Sequence, residues 1–83
     1  MLWKTLEFTH VSGSKVKILE IPVLEEDPLL QVLIREHLQS FIVNILQMQK
    51  PKRVYSFKEY LKKSLKWTTY ERLMSQGPLP YHA

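Results

Sequence analysis

The chain has 83 residues, of which 45% are hydrophobic and 24% are charged, and it contains no cysteine and two glycines. This length and composition are typical of one small folded domain, and the absence of cysteine excludes disulfide frameworks and cysteine-based zinc sites. Two isolated glycines cannot build a glycine-rich phosphate loop, so P-loop and dinucleotide-binding proteins are excluded as well.

The N-terminal part of the chain predicts a β-hairpin. Residues 2–9 combine β-compatible side chains with apolar residues in alternation, and residues 15–24 are rich in β-branched side chains. Gly13 lies between them in a Ser-Gly-Ser segment, which is typical of a turn because glycine adopts a positive φ without steric cost. The apolar pattern of the second strand shifts between Ile18 and Leu19, which predicts a β-bulge or burial on both faces.

A long helix is predicted next, from Pro28 to about Gln49. Asp27 can accept hydrogen bonds from the first free backbone N–H groups, and proline suits the first helical position. The apolar residues that follow recur at helical spacing, but they spread over more of the circumference than one hairpin can cover. We therefore expect this helix to be covered on more than one side. The apolar residues beyond the main stripe are Val32, Val43 and Leu46.

Two short helices are predicted after a charged connector that contains a proline. The segments Ser-Phe-Lys-Glu at residues 56–59 and Thr-Thr-Tyr-Glu at residues 68–71 both match the capping box, in which the first and last residues satisfy each other's backbone N–H groups. The predicted helices therefore span residues 57–65 and 69–76, and Gly77 ends the second helix in a left-handed conformation.

These elements predict an α+β fold in which an N-terminal β-hairpin packs on a long apolar helix, followed by a short basic helix pair of the helix-turn-helix kind. We expect residues 1–83 to form a single small domain, with a ββα unit over residues 1–49 and the helix pair and tail over residues 50–83. Domains of this size without disulfides or metals gain little stability from a single core. We therefore expect a homodimer, or a subunit bound to a protein partner, that associates through the long helix.

The two parts of the chain differ in charge. Residues 1–49 contain four Lys or Arg against six Asp or Glu, whereas residues 50–83 contain eight Lys or Arg against two Asp or Glu. Such asymmetry favours a basic face that binds a polyanionic or acidic partner. An ordinary solvated surface is the alternative interpretation.

The predicted helix pair favours DNA as that partner. Two short helices joined by three residues match the helix-turn-helix, Lys and Arg neutralise phosphates, and polar side chains on the second helix can read base edges. The alternative is an αα-hairpin packed on the sheet, whose lysines are merely solvated. The predicted contacts with duplex DNA are Lys58, Lys62, Lys63, Lys66 and Arg72 for phosphates, and Thr69 and Gln76 for base edges.

Several features of the same segment match a known family. The second helix begins with Thr68 and Thr69, an Arg-Leu pair follows at residues 72–73, and a Gly-Pro-Leu-Pro segment follows at residues 77–80. With the Tyr-Ser-Phe-Lys-Glu start of the first helix, these features resemble the helix-turn-helix of excisionase and MerR-like DNA-binding proteins. The bulky Tyr60 departs from the small residues usual there. The resemblance covers the last third of the chain and implies a DNA-binding regulator.

Catalytic and metal-binding patterns are weak in this sequence. The three histidines, His10, His37 and His82, lie far apart without neighbouring ligands at metal-binding spacing, and the Ser and Thr residues are explained as caps and turns. We therefore expect no enzymatic activity, no metal, no cofactor and no small-molecule substrate. Trp67, in the predicted turn, is expected to pack back on the core, with stacking on a base or a partner as the alternative.

Neither a signal peptide nor a membrane-spanning segment is predicted. The start of the chain lacks a basic region followed by a long apolar run, and the most apolar stretch, residues 28–48, is interrupted by Arg35 and Glu36. The expected location is cytoplasmic, with no membrane partner. The predicted function is that of a small DNA-binding regulator, and the alternative is a protein-interaction module, an adaptor or assembly subunit, that docks through its apolar helix.

Overall fold

The computed structural model describes residues 2–24 and 27–75 of the chain. The predicted α+β class, with a β-hairpin and a long helix followed by two short helices, is confirmed. The predicted base contact Gln76 and the helix stop at Gly77 lie outside the described residues. The elements are β1 (Leu2–Thr9), β2 (Lys15–Val23), α1 (Pro28–Gln47), β3 (Val54–Ser56), α2 (Phe57–Ser64) and α3 (Trp67–Met74).

The described part of the sheet has three strands in the order β1-β2-β3. β1 and β2 pair antiparallel as the predicted hairpin, whereas β3 pairs parallel to β2 at Lys17 to Leu19. A parallel neighbour needs a crossover connection, and α1 supplies it between β2 and β3. The sequence pattern does not predict β3, because a strand of three residues is too short to show a clear alternation.

A β-bulge sets which residues of β2 face the core, as the shift of the apolar pattern predicts. Leu6 lies opposite Ile18 and Lys4 lies opposite Ile21, so β2 has one more residue than β1 between these two pairs. The extra length is taken up where Glu20 adopts a left-handed φ of 59°. Because of the bulge, Ile18 and Ile21 are both buried although they are an odd number of residues apart.

The hydrophobic core joins the sheet to the three described helices. Phe41 of α1 contacts α2, since its ring centroid is 5.5 Å from that of Phe57 and 4.7 Å from that of Tyr60. The helix pair therefore packs on the same core as the hairpin. The buried apolar residues are Val16, Ile18, Ile21, Leu30, Ile34, Ile45, Phe57, Leu61, Tyr70 and Leu73.

The C-terminal end of α1 is tied to the hairpin by a buried histidine. His10, in the turn after β1, is 2% exposed. Its Nε2–H donates to the Ile45 carbonyl at 3.1 Å, and its Nδ1 accepts from the Ser12 backbone N–H at 3.0 Å. Because a backbone N–H can only donate, these bonds require the neutral imidazole with its proton on Nε2. His10 thus supplies a donor to one of the last carbonyls of α1, which lack regular partners within the helix.

α1 ends at Gln47, two residues earlier than predicted. Met48 adopts an extended backbone, with φ of −73° and ψ of 146°. The Tyr55 hydroxyl of β3 donates to the Met48 sulfur at 3.3 Å and accepts from the Lys52 backbone N–H at 2.9 Å. The helix therefore ends early because the Tyr55 hydroxyl of β3 contacts both Met48 and Lys52 of the segment that connects α1 to β3.

The first predicted capping box is confirmed at its N-cap, and the second is wrong. The Ser56 hydroxyl accepts from the Glu59 backbone N–H at 3.3 Å. By contrast, α3 begins at Trp67 with Lys66 as its N-cap and no side-chain capping bond, so Thr68 lies within the first turn. The helix starts early because the Trp67 and Tyr70 rings stack one turn apart, with centroids at 5.8 Å.

Replacement of His10 tests its role in tying the hairpin to α1. We expect His10→Ala to lower the free energy of unfolding by about 2–4 kcal/mol, because it removes a buried hydrogen bond and leaves a cavity. His10→Gln should recover part of this loss, since its amide nitrogen can reach the Ile45 carbonyl. Urea denaturation followed by circular dichroism measures both changes. A cost below about 0.5 kcal/mol for His10→Ala, as for ordinary surface residues, would contradict the assignment.

Candidate nucleic-acid interface

The structure brings the predicted phosphate-binding residues together in part. Lys62 and Lys63 lie in the last turn of α2, and Lys66 is the N-cap of α3. All three side chains are exposed. Lys58 and Arg72 instead contact other parts of the chain. The five predicted phosphate contacts therefore do not form one uniform basic surface.

Arg72 is held by the residue that caps α1. Its guanidinium donates to Asp27 Oδ2 at 3.2 Å, while the Leu30 backbone N–H donates to Asp27 Oδ1, also at 3.2 Å. The Asp27 side chain is 15% exposed, against 61% for Arg72. One carboxylate thus starts α1 and also joins it to α3, which gives Arg72 a structural contact that the sequence does not indicate.

Lys58 lies over an aromatic ring of the first strand. Its Nζ is 5.4 Å from the centroid of Trp3, a distance at which the ring quadrupole attracts a cation. Lys58 is half-buried. This contact connects α2 to β1 and leaves Lys58 less available to phosphates than the lysines nearer the end of α2.

The remaining lysines and an exposed tryptophan define a surface that we call the basic junction: Lys62, Lys63, Lys66 and Trp67. Trp67 is 60% exposed, so the expectation that it packs back on the core is wrong. Because α3 begins at Trp67, the ring lies against Tyr70 on the same helix instead of against the sheet. The clustering of three lysines directly before a tryptophan is the sequence signal that indicates this surface.

The basic junction has an electrostatic environment that suits an anion. No Asp or Glu occurs in the sequence between Glu59 and Glu71. The N-cap residue Lys66 makes no side-chain capping bond to α3, so the partial positive charge of the first N–H groups adds to that of the three ammonium groups. Phosphate groups are the biological anions that such an arrangement favours.

The outward side of α3 is less suited to reading bases than the sequence predicts. Tyr70 and Leu73 are buried, which turns Glu71 and Arg72 toward solvent. Glu71 is negatively charged, Arg72 is ion-paired, and Thr69 is half-buried. Phosphate contacts at the basic junction therefore fit the structure better than base contacts along α3.

Other kinds of site find less support in the described residues. His37 contacts Tyr60 edge to face, with ring centroids 6.0 Å apart, and His10 uses both ring nitrogens in structural bonds. Within residues 2–24 and 27–75, no group of three or more His, Asp or Glu is placed to hold a metal ion. No helix in the same part of the chain is long and apolar enough to cross a membrane.

Comparison with known proteins places the chain in one family along its full length. Residues 1–83 match the family described as "Protein of unknown function (DUF2535)". The chain belongs to this family. It is also 37% identical over 83 residues to the "Uncharacterized protein YpmP" of Bacillus subtilis (strain 168), and the match covers 100% of both chains. No solved structure matches the chain. The DUF2535 match includes the hairpin and α1 together with the basic helix pair.

Substitutions at Asp27 and Arg72 separate helix capping from the link to α3. We expect Asp27→Ala to lower the free energy of unfolding by about 1–2 kcal/mol, because both the cap and the ion pair are lost. Asp27→Asn keeps a capping oxygen, so it and Arg72→Ala should each cost less than about 1 kcal/mol, as for a solvent-screened pair. Urea denaturation measures these changes. If Asp27→Asn has the same effect with and without Arg72, the two side chains are not coupled and the link is refuted.

Proposed function

We propose that this chain works in the cytoplasm as a small non-enzymatic DNA-binding regulator that holds duplex DNA through the basic junction. The observation that carries the proposal is the exposure of Lys62, Lys63 and Lys66 beside Trp67, in a stretch of sequence without acidic residues. Lysines that neutralise DNA phosphates release counterions, and this release dominates the affinity of small basic proteins for DNA.

The structure supports contacts with the phosphate backbone more strongly than contacts with bases. The basic junction combines ammonium groups with the N-terminal end of α3, and both kinds of donor bind phosphate oxygens in protein–DNA complexes. Glu71 and the ion-paired Arg72 occupy the outward side of α3, where a recognition helix would carry its base-reading residues. We therefore propose binding that tolerates many DNA sequences, with Thr69 and Gln76 as the candidate contacts to base edges.

The exposed ring of Trp67 makes it useful to compare binding to duplex and to single-stranded DNA. Aromatic side chains stack on bases most readily in single strands, whereas lysines bind the phosphates of either form. A duplex and a single strand of the same length therefore separate the contributions of the tryptophan and the lysines. Preference for the duplex supports the proposal, and clear preference for the single strand would replace it with a stacking function for Trp67.

Neutralisation of the basic junction tests the proposal directly. We expect Lys62→Gln, Lys63→Gln and Lys66→Gln combined to weaken binding to a labelled duplex and to lower the slope of log K against log salt by about 3, roughly one for each lost phosphate contact. Fluorescence anisotropy at low salt measures the affinity, because binding of this kind weakens steeply as salt rises.

A matched control uses lysines elsewhere on the surface. Lys15→Gln, Lys17→Gln and Lys50→Gln combined remove the same charge from exposed positions outside the basic junction. This variant should keep nearly the full affinity and salt slope of the unaltered chain. Equal losses in the two variants would indicate only a response to net charge, and no binding at low salt would refute the DNA-binding proposal.

A second candidate function, that of a subunit docking on a protein partner through α1, is favoured by a separate observation. Apolar side chains of α1 remain at the surface of the folded chain, among them Leu29 at 75% and Val32 at 54% exposure. Soluble domains rarely leave neighbouring large apolar residues exposed unless another surface covers them. This function uses residues of α1, none of which belongs to the basic junction.

A further inference from the structure

Exposed residues of α1 form one continuous stripe along the helix. Their spacing alternates between three and four residues, which keeps them within an arc of about 100° over a length of about 25 Å. We call this surface the outward stripe, and it consists of Leu29, Val32, Glu36, Gln39, Val43 and Leu46. All six side chains are exposed, whereas Leu30, Ile34 and Ile45 of the same helix are buried in the core.

The outward stripe has apolar ends and a polar centre. Val32, Val43 and Leu46 are 54%, 48% and 45% exposed, so the core does not account for these side chains. The alternating spacing of three and four is that of a helix seam in which side chains of one helix insert between those of another. The stripe therefore fits a second helix of the same length and spacing.

The stripe is also symmetric about a point between residues 37 and 38. Reversing the direction of the helix places Leu29 on Leu46, Val32 on Val43 and Glu36 on Gln39. A surface that matches its own reverse is what a two-fold symmetric dimer requires, because each patch then contacts the same patch of the other copy. We propose that two copies of the chain pair antiparallel through the outward stripe of α1. This inference deepens the docking function of α1 by naming a second copy as the partner.

The polar centre selects the antiparallel direction. In a parallel pair each Glu36 would face Glu36 of the second copy, and two carboxylates would meet within the seam. In the antiparallel pair, Glu36 faces Gln39 of the second copy, whose amide N–H can donate to the carboxylate. Polar residues at the core positions of paired helices are known to fix register and orientation in this way.

The size of the stripe sets the expected strength of the dimer. One helix seam of this length is smaller than a standard interface of about 800 Å² per partner, so we expect a Kd that is roughly micromolar. Sedimentation equilibrium of the full chain between about 2 and 200 μM should therefore show a reversible shift from monomer to dimer. A monomer at every concentration would overturn the proposal.

Two charge variants with the same sites test the antiparallel arrangement. V32E/V43E places like charges opposite each other in either direction and should weaken the dimer at least about 100-fold. V32K/V43E pairs opposite charges in the antiparallel dimer and like charges in a parallel one, so we expect its Kd to stay within about tenfold of the unaltered chain. Equal loss of the dimer in both variants overturns the antiparallel arrangement. Circular dichroism checks that both variants fold.

Disulfide trapping gives a second readout, since the chain contains no cysteine of its own. Chains carrying Val32→Cys and chains carrying Val43→Cys should cross-link with each other on oxidation, and neither should cross-link with itself. Self-cross-linking of each variant would instead show a parallel dimer.

The wider docking function is judged separately, by whether V32E/V43E loses proteins that co-purify with the unaltered chain. A chain that is monomeric in sedimentation equilibrium would thus refute the dimer, whereas the docking function would still be decided by the co-purification result.

Discussion

The packing of one side of α1 against β2 and α2 determines the rest of the structure. Ile34 and Ile45 are buried in the core, and Phe41 contacts the aromatic rings of α2. His10, in the hairpin turn, bonds to the C-terminal end of α1, and Asp27 joins the N-terminal end of α1 to α3. These contacts fix the rotation of α1 about its own axis. Because apolar residues surround much of that axis, fixing one side leaves the outward stripe exposed among the described residues.

The same packing gives the cations different roles. Arg72 and Lys58 lie where other elements approach, so they contact Asp27 and Trp3, whereas the lysines around the α2–α3 connection remain in solvent. Charge alone therefore overstates the basic surface, since some cations hold the fold together. The predicted phosphate contacts that remain exposed, Lys62, Lys63 and Lys66, lie around the α2–α3 connection. This separation of structural from exposed charge is why we propose phosphate binding there and not along α3.

Local rules predicted much of the fold, and they failed where tertiary contacts decide the outcome. The hairpin, the bulge near Ile18, the Asp27 cap and the Ser56 cap follow from turn chemistry and periodicity. β3 was missed because its three residues depend on a partner strand brought near by α1. The Thr68 cap was wrong because stacking of Trp67 on Tyr70 favours an earlier helix start. At the candidate site, sequence identifies the lysines, but the partners of Lys58 and Arg72 are distant in sequence and require the folded chain.

We propose that the basic junction binds DNA and that the outward stripe, separately, binds a second copy of the chain. The most direct test is to record the backbone amide resonances of the uniformly labelled chain during titration with duplex DNA. We expect the resonances of the basic junction and of the first turn of α3 to shift, while those of the outward stripe stay in place. Shifts concentrated on α1, or no shifts at low salt, would contradict the separate roles of the two surfaces.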